Sequence, residues 1–318
     1  MERTHYNGTL SLKDVGQKVV LVGWVHKKRN LGSLLFIDLR DRSGVVQITI
    51  KADLKTPDIR NEYVIQVYGE VAKKDVPNKN LKTGEIEVIA EKINVINSAE
   101  TTPLIIDDNT DALEDVRLKY RYLDLRRPIM QARLMTRAKI VKATHEYLDA
   151  HDFLEVETPI LTLSTPEGAR DYLVPSRIHH GCFYALPQSP QVYKQLLMIG
   201  GIERYYQIAK CFRDEDLRAD RQPDFTQIDV ETSFLDEEQI LTLMEGLLKK
   251  IFKDVINYDI ALPLRRIKYD DAIATYGSDK PDTRFGMLLV DVKDVVDASS
   301  FNVLKNAAYV RAIVVPNI

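Results

Sequence analysis

The sequence predicts two kinds of structure in order along the chain, a small closed β-barrel and then an α+β domain built on an antiparallel sheet. Five short runs of strand-forming residues lie between residues 18 and 97. Helical spacing of apolar residues begins near residue 129, and two further strand-like runs follow residue 204, separated by a polar loop. The 318 residues allow two or three domains at roughly 100–200 residues each.

Composition excludes several classes of protein. The chain is 45% hydrophobic and 29% charged, without the bias of disordered or fibrous chains. No apolar segment approaches the roughly 18 residues of a membrane span, so we expect a cytosolic, cytoplasmic protein with no membrane partner. Neither CxxC nor HExxH occurs, so no metal site is predicted on this chain. The net charge of −3 is uneven, since residues 1–103 hold 16 Lys/Arg against 13 Asp/Glu.

The first part of the chain, residues 1–103, carries the five strand-like runs. Only one short stretch, near 52–62, could be helical. Five strands in fewer than about 100 residues favour the five-stranded oligonucleotide-binding barrel (OB-fold), although small barrels of other kinds remain open. The predicted strands are 19–25, 34–39, 45–50, 63–71 and 85–96.

The alternation of side chains along two of these strands predicts a polar outer face. Because successive side chains of a strand point to opposite faces, Phe36 lies opposite the inward Leu35 and Ile37, and Gln47 lies on the polar face of the next strand. The basic triplet 27–29 stands in the connection between the first two strands. An aromatic ring beside basic residues suits stacking of single-stranded bases. Alternatively, Phe36 fills a satellite cluster and the triplet is a solvated turn.

The second part begins after a predicted hinge, residues 104–128, which includes a short helical stretch that stops at Pro128. A second domain is expected after this hinge. Helical spacing covers 129–150, and alternation predicts a strand at 153–158 before Pro159. Further helices are expected near 190–200 and 237–256.

A hairpin is predicted from strands 205–215 and 225–231, joined by the charged loop 216–223. One face of it carries Gln207, Arg213 and Glu215 on the first strand and Gln227, Asp229 and Glu231 on the second. Such a face suits a pocket wall better than a core, and an arginine there supplies the planar fork that carboxylate or phosphate groups bind. The alternative is a solvated outer face.

Several runs of residues resemble one enzyme family. Phe212-Arg213-Asp214-Glu215, followed by Arg221-x-x-x-Phe225, resembles motif 2 of the class II aminoacyl-tRNA synthetases, and the segment 129–159 resembles their motif 1. Longer runs narrow the resemblance to aspartyl-tRNA synthetases of the bacterial type: 119–127, 165–172, 186–191 and 276–282. They occur in order across nearly the whole chain, and they agree with the barrel predicted independently.

The resemblance implies a role for particular residues. Arg213 would bridge the aspartate carboxylate and the ATP α-phosphate, Glu215 would recognise the adenine amino group, and Phe225 would stack on adenine. The implied catalytic residues are Arg213 and Glu215. The implied ATP-binding set is Arg213, Asp214, Glu215, Gln222 and Phe225. The implied aspartate-binding set is Glu167, Ser189, Gln191, Lys194, Arg213 and Asp229, with Lys194 as the specificity determinant. In the barrel, Arg29, Phe36 and Gln47 would contact the anticodon of the tRNA.

The implied activity is that of an aspartate-tRNA ligase: ATP-dependent activation of L-aspartate and its transfer to tRNA-Asp, with ATP as substrate, Mg2+, and a homodimer formed through motif 1. Motif 3 of the family, a glycine-rich segment that ends in an arginine and covers the adenine, is not found in this sequence. The resemblance therefore implies that the chain is the N-terminal part of a longer synthetase. Residues 129–283 would form the first part of the α+β catalytic domain, with an incomplete sheet, and residues 284–318 the start of a truncated inserted domain. We expect little adenylation by the chain itself.

Two other functions fit parts of the pattern. An asparaginyl- or lysyl-tRNA synthetase shares the barrel and the motifs, but residues 165–172 and Lys194 favour aspartate. A non-catalytic tRNA-binding protein with a degenerate synthetase domain would explain the absence of motif 3. However, Arg213, Glu215 and Phe225 are all present, which argues against loss of the catalytic function. Whether tRNA-Asn is also charged stays open.

Overall fold

The computed structural model describes residues 2–32, 34–165, 168–216, 218, 221–284 and 286–315. The chain divides into two compact units, residues 1–140 and residues 141–318. In the described part of the chain, no helix combines the length and the apolar character needed to cross a membrane.

The first unit contains a closed five-stranded barrel, which confirms the fold predicted for this part. Its strands follow the order β1-β2-β3-β5-β4 around the barrel. The neighbouring strands are antiparallel except for β3 and β5, whose parallel pairing at Ile48 and Val88 completes the ring. Closure leaves no free strand edge. The strands are β1 (Lys18–Asn30), β2 (Leu34–Asp41), β3 (Gly44–Lys51), β4 (Val64–Lys73) and β5 (Ile86–Asn97).

The barrel core follows the predicted alternation of side chains. Ile37, Leu39, Val46 and Ile48 are all fully buried, and they belong to one cluster of apolar residues contributed by every strand. Phe36 is only half-buried and is not among the described side chains packed against this cluster. The register therefore places Phe36 on the outer face, as the alternation predicts.

Two local predictions for the barrel were wrong. Residues 52–62 form turns and irregular structure instead of a helix, because Pro57 lacks an N–H and Ile59 is drawn into the core, where it is 1% exposed. The basic triplet lies within β1 instead of in a connection, because Lys27, Lys28 and Arg29 continue the ladder opposite Asp38, Ile37 and Phe36 of β2.

The linker after the barrel contains two short helices, α1 (Glu114–Lys119) and α2 (Arg121–Asp124), followed by α3 (Pro128–Asp149). Pro128 is the first residue of α3, a position where its missing N–H costs no helical hydrogen bond. The helix α3 begins in the first unit and ends in the second.

Asp124 is the centre of an arginine cluster that explains much of the run 119–127. Its fully buried carboxylate accepts hydrogen bonds from Arg117 Nε at 3.1 Å, Arg121 at 2.7 Å and Arg127 at 2.8 Å. Burial acts to raise the pKa of Asp124, but Arg127 and Arg117 outweigh it and hold the pKa below its ordinary value. The negative charge of Asp124 in the folded state thus organises the linker.

A second ion cluster attaches this linker to the barrel. Glu62 accepts two hydrogen bonds from Arg40 of β2, at 3.0 and 2.8 Å, and one from Arg126 at 2.8 Å. Glu62 and Arg40 are 6% and 5% exposed. The Arg126 guanidinium also lies 5.1 Å from the ring centre of Trp24 in β1. The linker is therefore joined to the barrel by the Arg126–Glu62 pair, in which Glu62 is buried and Arg126 is 30% exposed.

The second unit is built on a three-stranded sheet in the order β10-β9-β6. The predicted hairpin is present as the antiparallel pair β9 and β10. Of the strand predicted at 153–158, only two residues pair, and they run parallel to β9. The remaining elements are β6 (Leu154–Glu155), β7 (Leu173–Pro175), β8 (Phe183–Ala185), α4 (Gln191–Ile199), β9 (Arg204–Phe212), β10 (Asp224–Thr232), α5 (Glu237–Ile256), α6 (Tyr269–Tyr276), β11 (Leu289–Asp291), α7 (Lys293–Asp297), α8 (Asn302–Lys305) and β12 (Arg311–Ile313).

One face of this sheet packs against helices. Leu148 near the end of α3, Phe153 and Tyr206 of β9 form a buried cluster, with Leu243 of α5 against it. The helix α5 begins at a capping box, in which Asp236 and Gln239 bond to each other's backbone N–H. The opposite face of β9 and β10 is thereby left to polar side chains.

Candidate active site and nucleic-acid surface

The register of the β9–β10 hairpin brings the predicted polar residues onto one face. Gln207 lies opposite Asp229, and Phe225 lies opposite Cys211. Since partners directly across an antiparallel pair share a face, the second strand presents Phe225, Gln227, Asp229 and Glu231 together. The backbone N–H of Arg213 donates to Pro223 O at 2.9 Å, so this face continues past the end of β9.

Lys194 on α4 meets two carboxylates of β10. Its Nζ donates to Asp229 Oδ1 at 2.9 Å and lies 3.3 Å from Glu231 Oε2. Lys194 and Asp229 are 9% and 7% exposed. Burial lowers the pKa of Lys194, but the hydrogen bonds and charges of Asp229 and Glu231 outweigh it and raise the pKa above its ordinary value. The ammonium is therefore held protonated in a largely buried site.

One carboxylate oxygen of Asp229 is available to accept a hydrogen bond from a ligand. Its Oδ2 is buried and has no hydrogen-bond partner among the described residues. A buried carboxylate oxygen without a donor is costly, so the site is suited to a ligand that brings a donor to this point.

Tyr205 and Thr158 extend the polar face that carries Gln207, and neither of the two was predicted as a site residue. The Tyr205 and Thr158 hydroxyls each donate to Gln207 Oε1 at 2.9 Å. Tyr205 is fully buried, and this burial, together with the Asp229 charge, raises its pKa well above the ordinary value. Gln207 and Thr158 also line a cavity of about 410 Å³ that reaches Pro190. The strand alternation around Gln207 could have indicated Tyr205.

Arg213 and Phe225 are brought together at the open end of the hairpin. The Arg213 guanidinium lies 5.2 Å from the centre of the Phe225 ring, and its buried Nε has no partner in the described part of the chain. Glu215 lies 3.5 Å from Arg221. The structure thus places an arginine with an unused Nε donor beside an aromatic ring, two residues before the Glu215–Arg221 pair.

The other predicted site residues differ in position and in exposure. Gln191 is the first residue of α4 and precedes Lys194 by three positions, so both lie on one helix face. Ser189 lies just before this helix and is partly buried. Asp214 and Gln222 are exposed. Glu167 lies outside the described residues.

No protein ligand set for a metal is present in the described residues, since no group of three or more His, Cys, Asp or Glu is placed to hold an ion. The Mg2+ that the resemblance implies would be held mainly by the ATP phosphates and waters, with one or two carboxylates, and needs no such cluster.

The barrel presents a second polar surface, on the outer face of β1, β2 and β3. Arg29 lies opposite Phe36, and Phe36 lies opposite Thr49. Arg29 donates to Asp38 Oδ1 at 2.7 Å, and Gln47 Nε2 donates to Glu87 Oε2 at 3.0 Å. The structure therefore gathers all three predicted residues, Arg29, Phe36 and Gln47, on one face.

Lys74 and Glu87 also belong to this surface, although no pattern in the sequence pointed to them. Lys74 is 9% exposed and interacts electrostatically with Glu87, Asp38 and Arg29. Burial lowers the pKa of Lys74, with Arg29 adding to the effect, while Glu87 and Asp38 oppose it. Two cationic side chains, Lys74 and Arg29, on one surface favour an anionic or acceptor-rich ligand there.

Two family models match the chain. Residues 113–306, more than half of the chain, match the tRNA synthetases class II (D, K and N). Residues 19–96 match the OB-fold nucleic acid binding domain, which spans nearly all of the closed barrel.

Curated proteins and solved structures agree with these models. The chain is 57% identical over 323 residues to an aspartate-tRNA(Asp/Asn) ligase of Geobacillus sp. and 56% identical over 313 residues to an aspartate-tRNA ligase of Halalkalibacterium halodurans, covering 98% and 96% of this chain. It spans 54% and 53% of those relatives. A solved asparaginyl-tRNA synthetase from Pyrococcus horikoshii with asparaginyl-adenylate matches at a TM-score of 0.71 and 25% identity, over 80% of this chain and 58% of its own.

Proposed function

Because the chain belongs to the class II tRNA synthetases (D, K and N), we propose that it serves the ATP-dependent activation of L-aspartate and the transfer of aspartate to tRNA-Asp. Both curated relatives are named as aspartate-tRNA ligases. The chain spans about half the length of those relatives, so the activity is proposed for the full gene product that carries this sequence.

The observation that carries the choice of amino acid is the Lys194 site. Lys194 offers a buried, protonated ammonium, which suits the side-chain carboxylate of aspartate and gives asparagine no ion pair. Asp229 holds Lys194 in place through Oδ1, and its unpartnered Oδ2 can accept a hydrogen bond from the ligand. Gln191, one turn earlier on α4, and Ser189 would hold the substrate near its amino group. We include Glu167 in this set from the family resemblance.

The arrangement at Arg213 supports the proposed ATP site. Phe225 would stack on adenine, with Glu215 at the adenine amino group and Asp214 and Gln222 nearby. An α-carboxylate oxygen of aspartate attacks the α-phosphorus, the bond to the bridging oxygen breaks, and pyrophosphate leaves with the electron pair. Arg213 would contact both anions, so it lowers the repulsion between them and stabilises the charge on the phosphorus oxygens.

The second step needs no nucleophilic side chain from the protein. The terminal ribose hydroxyl of the tRNA attacks the aspartyl carbonyl of the adenylate, the bond between the carbonyl carbon and the phosphate oxygen breaks, and AMP leaves with the hydroxyl proton on its phosphate. The barrel surface would hold the anticodon, with Phe36 stacking on a base, Gln47 reading a base edge, and Arg29 and Lys74 next to acceptor groups. Relatives named for tRNA(Asp/Asn) make tRNA-Asn the second substrate to test.

Two further properties are proposed with this function. We propose a homodimer through the segment 129–159, because Leu134, Met135 and Leu154 in this segment are exposed apolar side chains. We also propose a cytoplasmic location, where the charging of tRNA takes place.

Calorimetric binding of aspartate and asparagine tests the proposed amino-acid site. We expect aspartate to bind more tightly than asparagine, and Lys194→Met to remove that preference. Lys210→Met is the matched control, because Lys210 alternates to the opposite face of β9 and is half exposed beside Asp224. Equal binding of both amino acids to the unmodified protein would contradict the proposal.

A further inference from the structure

Gln188 is a nearly fully buried amide whose donors and acceptor are all used. It is 2% exposed and precedes the segment that carries Ser189 and Gln191. Its Nε2 donates to Ala169 O at 2.8 Å and to Asp171 Oδ1 at 2.6 Å, and its Oε1 accepts from Ala169 N at 3.1 Å. The side chain thus binds both backbone groups of Ala169 and the carboxylate of Asp171.

Asp171 gathers the preceding residues around the same point. Its Oδ2 accepts from Ser164 Oγ at 2.6 Å and from Thr165 N at 3.1 Å. Burial acts to raise the pKa of Asp171, but these bonds and the one from Gln188 outweigh it and lower the pKa below its ordinary value. Asp171 is therefore an ionised acceptor at neutral pH.

The segment held by Gln188 continues to the hairpin end. Between Ala169 and Asp171, the carbonyl of Arg170 accepts from Asp214 N at 3.0 Å. Asp214 stands between Arg213 and Glu215. On the other side of Gln188, Pro187 O accepts from Phe212 N at 2.9 Å. Gln188 therefore sits between two attachments to the end of β9.

We propose that Gln188 and Asp171 form a positioning pair that fixes the backbone at Arg170, and through Asp214 sets where Arg213 and Glu215 stand. Neither Gln188 nor Asp171 contacts the reacting atoms. The inference rests on the proposed function for the role of Arg213 and Glu215 toward ATP, while the positioning itself is a property of the chain.

The isosteric change Gln188→Glu tests the pair. It places a second carboxylate against Asp171 and removes the donor to Ala169 O. We expect the KM for ATP in aspartate-dependent pyrophosphate exchange to rise about ten-fold or more at pH 8. Adjacent carboxylates raise the pKa of one member, so a shared proton should return the KM toward its normal value as the pH falls to about 6.

A second variant reverses the polarity of the contact. When Gln188→Glu is combined with Asp171→Asn, the amide introduced at position 171 can donate to the carboxylate introduced at position 188. The amide oxygen can still accept from Ser164 and Thr165. The donor to Ala169 O stays lost, so we expect the KM for ATP to return only part of the way to that of the unmodified protein, without the pH dependence. Gln66→Glu is the matched control, since Gln66 is a buried amide in the barrel, 8% exposed, and should leave the KM unchanged.

Amide hydrogen exchange separates this inference from the proposed function. In Gln188→Glu, we expect faster exchange at Ala169 and Asp214, with the barrel unchanged, whether or not the protein activates aspartate. If the unmodified protein shows no aspartate-dependent pyrophosphate exchange, the proposed function is contradicted, but the positioning role of Gln188 is not. Unchanged protection at Ala169 and Asp214, or a lowered kcat with unchanged KM and no rescue by the double variant, would overturn the positioning role.

Discussion

Replacing Asp124 by asparagine removes the negative charge at the centre of three arginines in the linker. The side chain keeps its shape, but one accepting oxygen becomes an NH2 group that faces an arginine donor. Removing one partner of a buried ion pair costs about 3–5 kcal/mol, because the opposite charge is left uncompensated. Arg127 is buried, whereas Arg121 and Arg117 are 46% and 29% exposed and can be solvated. We therefore expect a loss near the lower limit, about 3 kcal/mol.

Trp24 supplies the assay, because the sequence contains a single tryptophan and it lies in β1 beside the Arg126 side chain of the linker. Urea unfolding followed by its fluorescence reports the first unit. The folded pKa of Asp124 lies below its unfolded value, so its contribution is present above the unfolded pKa of about 3.9 and is lost as the pH falls through the folded pKa. The difference between the variant and the unmodified protein should therefore be full at pH 7 and shrink below about pH 4.

The control for this prediction is Asp111→Asn, an exposed aspartate of the same linker, which should change stability by less than about 0.5 kcal/mol. A loss below about 1 kcal/mol for Asp124→Asn at pH 7 would refute the reasoning. A difference that stays constant from pH 7 to pH 3 would refute it as well, because it would show that the charge of Asp124 is not what stabilises the linker.

Three other predictions follow from the same contacts. Glu62→Gln leaves Arg40 buried without its anion and should cost about 3–5 kcal/mol in urea unfolding, with a shift of Trp24 fluorescence; a cost below about 1 kcal/mol would contradict it. Phe36→Ala should weaken tRNA binding by about 1–3 kcal/mol, measured by filter binding, with an unchanged thermal midpoint; a lowered midpoint would place the ring in the core instead. Leu148→Ala, at a fully buried position, should cost about 2–5 kcal/mol, seen as faster amide exchange in β9, and unchanged exchange would argue against that packing.

The alternation of side chains was the strongest signal in the sequence. It predicted the inward Ile37 and Ile48, the outward Phe36, and the shared face of the hairpin, because a strand repeats every two residues wherever it pairs. It could not predict Lys74 and Glu87 on the barrel surface. These residues are brought beside Gln47 by closure of the barrel, and closure depends on contacts between strands that are distant in sequence.

The two wrong predictions for the barrel each have a local structural cause. The stretch near 52–62 could be helical from its sequence, but burial of Ile59 in the barrel core overrides helix propensity there. The triplet 27–29 falls between the predicted strands 19–25 and 34–39, yet the ladder between β1 and β2 continues through it. In the sequence, Gln188 is distinguished only by its place in the run 186–191, which resembles the family. A single amide in a sequence does not show that its side chain makes three hydrogen bonds.

The run 119–127 shows the limit of inferring function from resemblance. It supported the family assignment, but its charged residues serve the linker: Asp124 gathers arginines, and Arg126 pairs with Glu62 of the barrel. The structure thus separates residues that identify the family from those that form the candidate site, which include Lys194, Asp229, Arg213 and Phe225.

The most direct test of the proposed function is ATP–pyrophosphate exchange by the full gene product, with aspartate, asparagine and lysine in parallel. The buried ammonium of Lys194 beside Asp229 predicts exchange with aspartate alone, and loss of that exchange in Lys194→Met but not in Lys210→Met. Exchange with asparagine or lysine at a rate similar to that with aspartate would contradict the assignment of Lys194 as the group that selects the substrate.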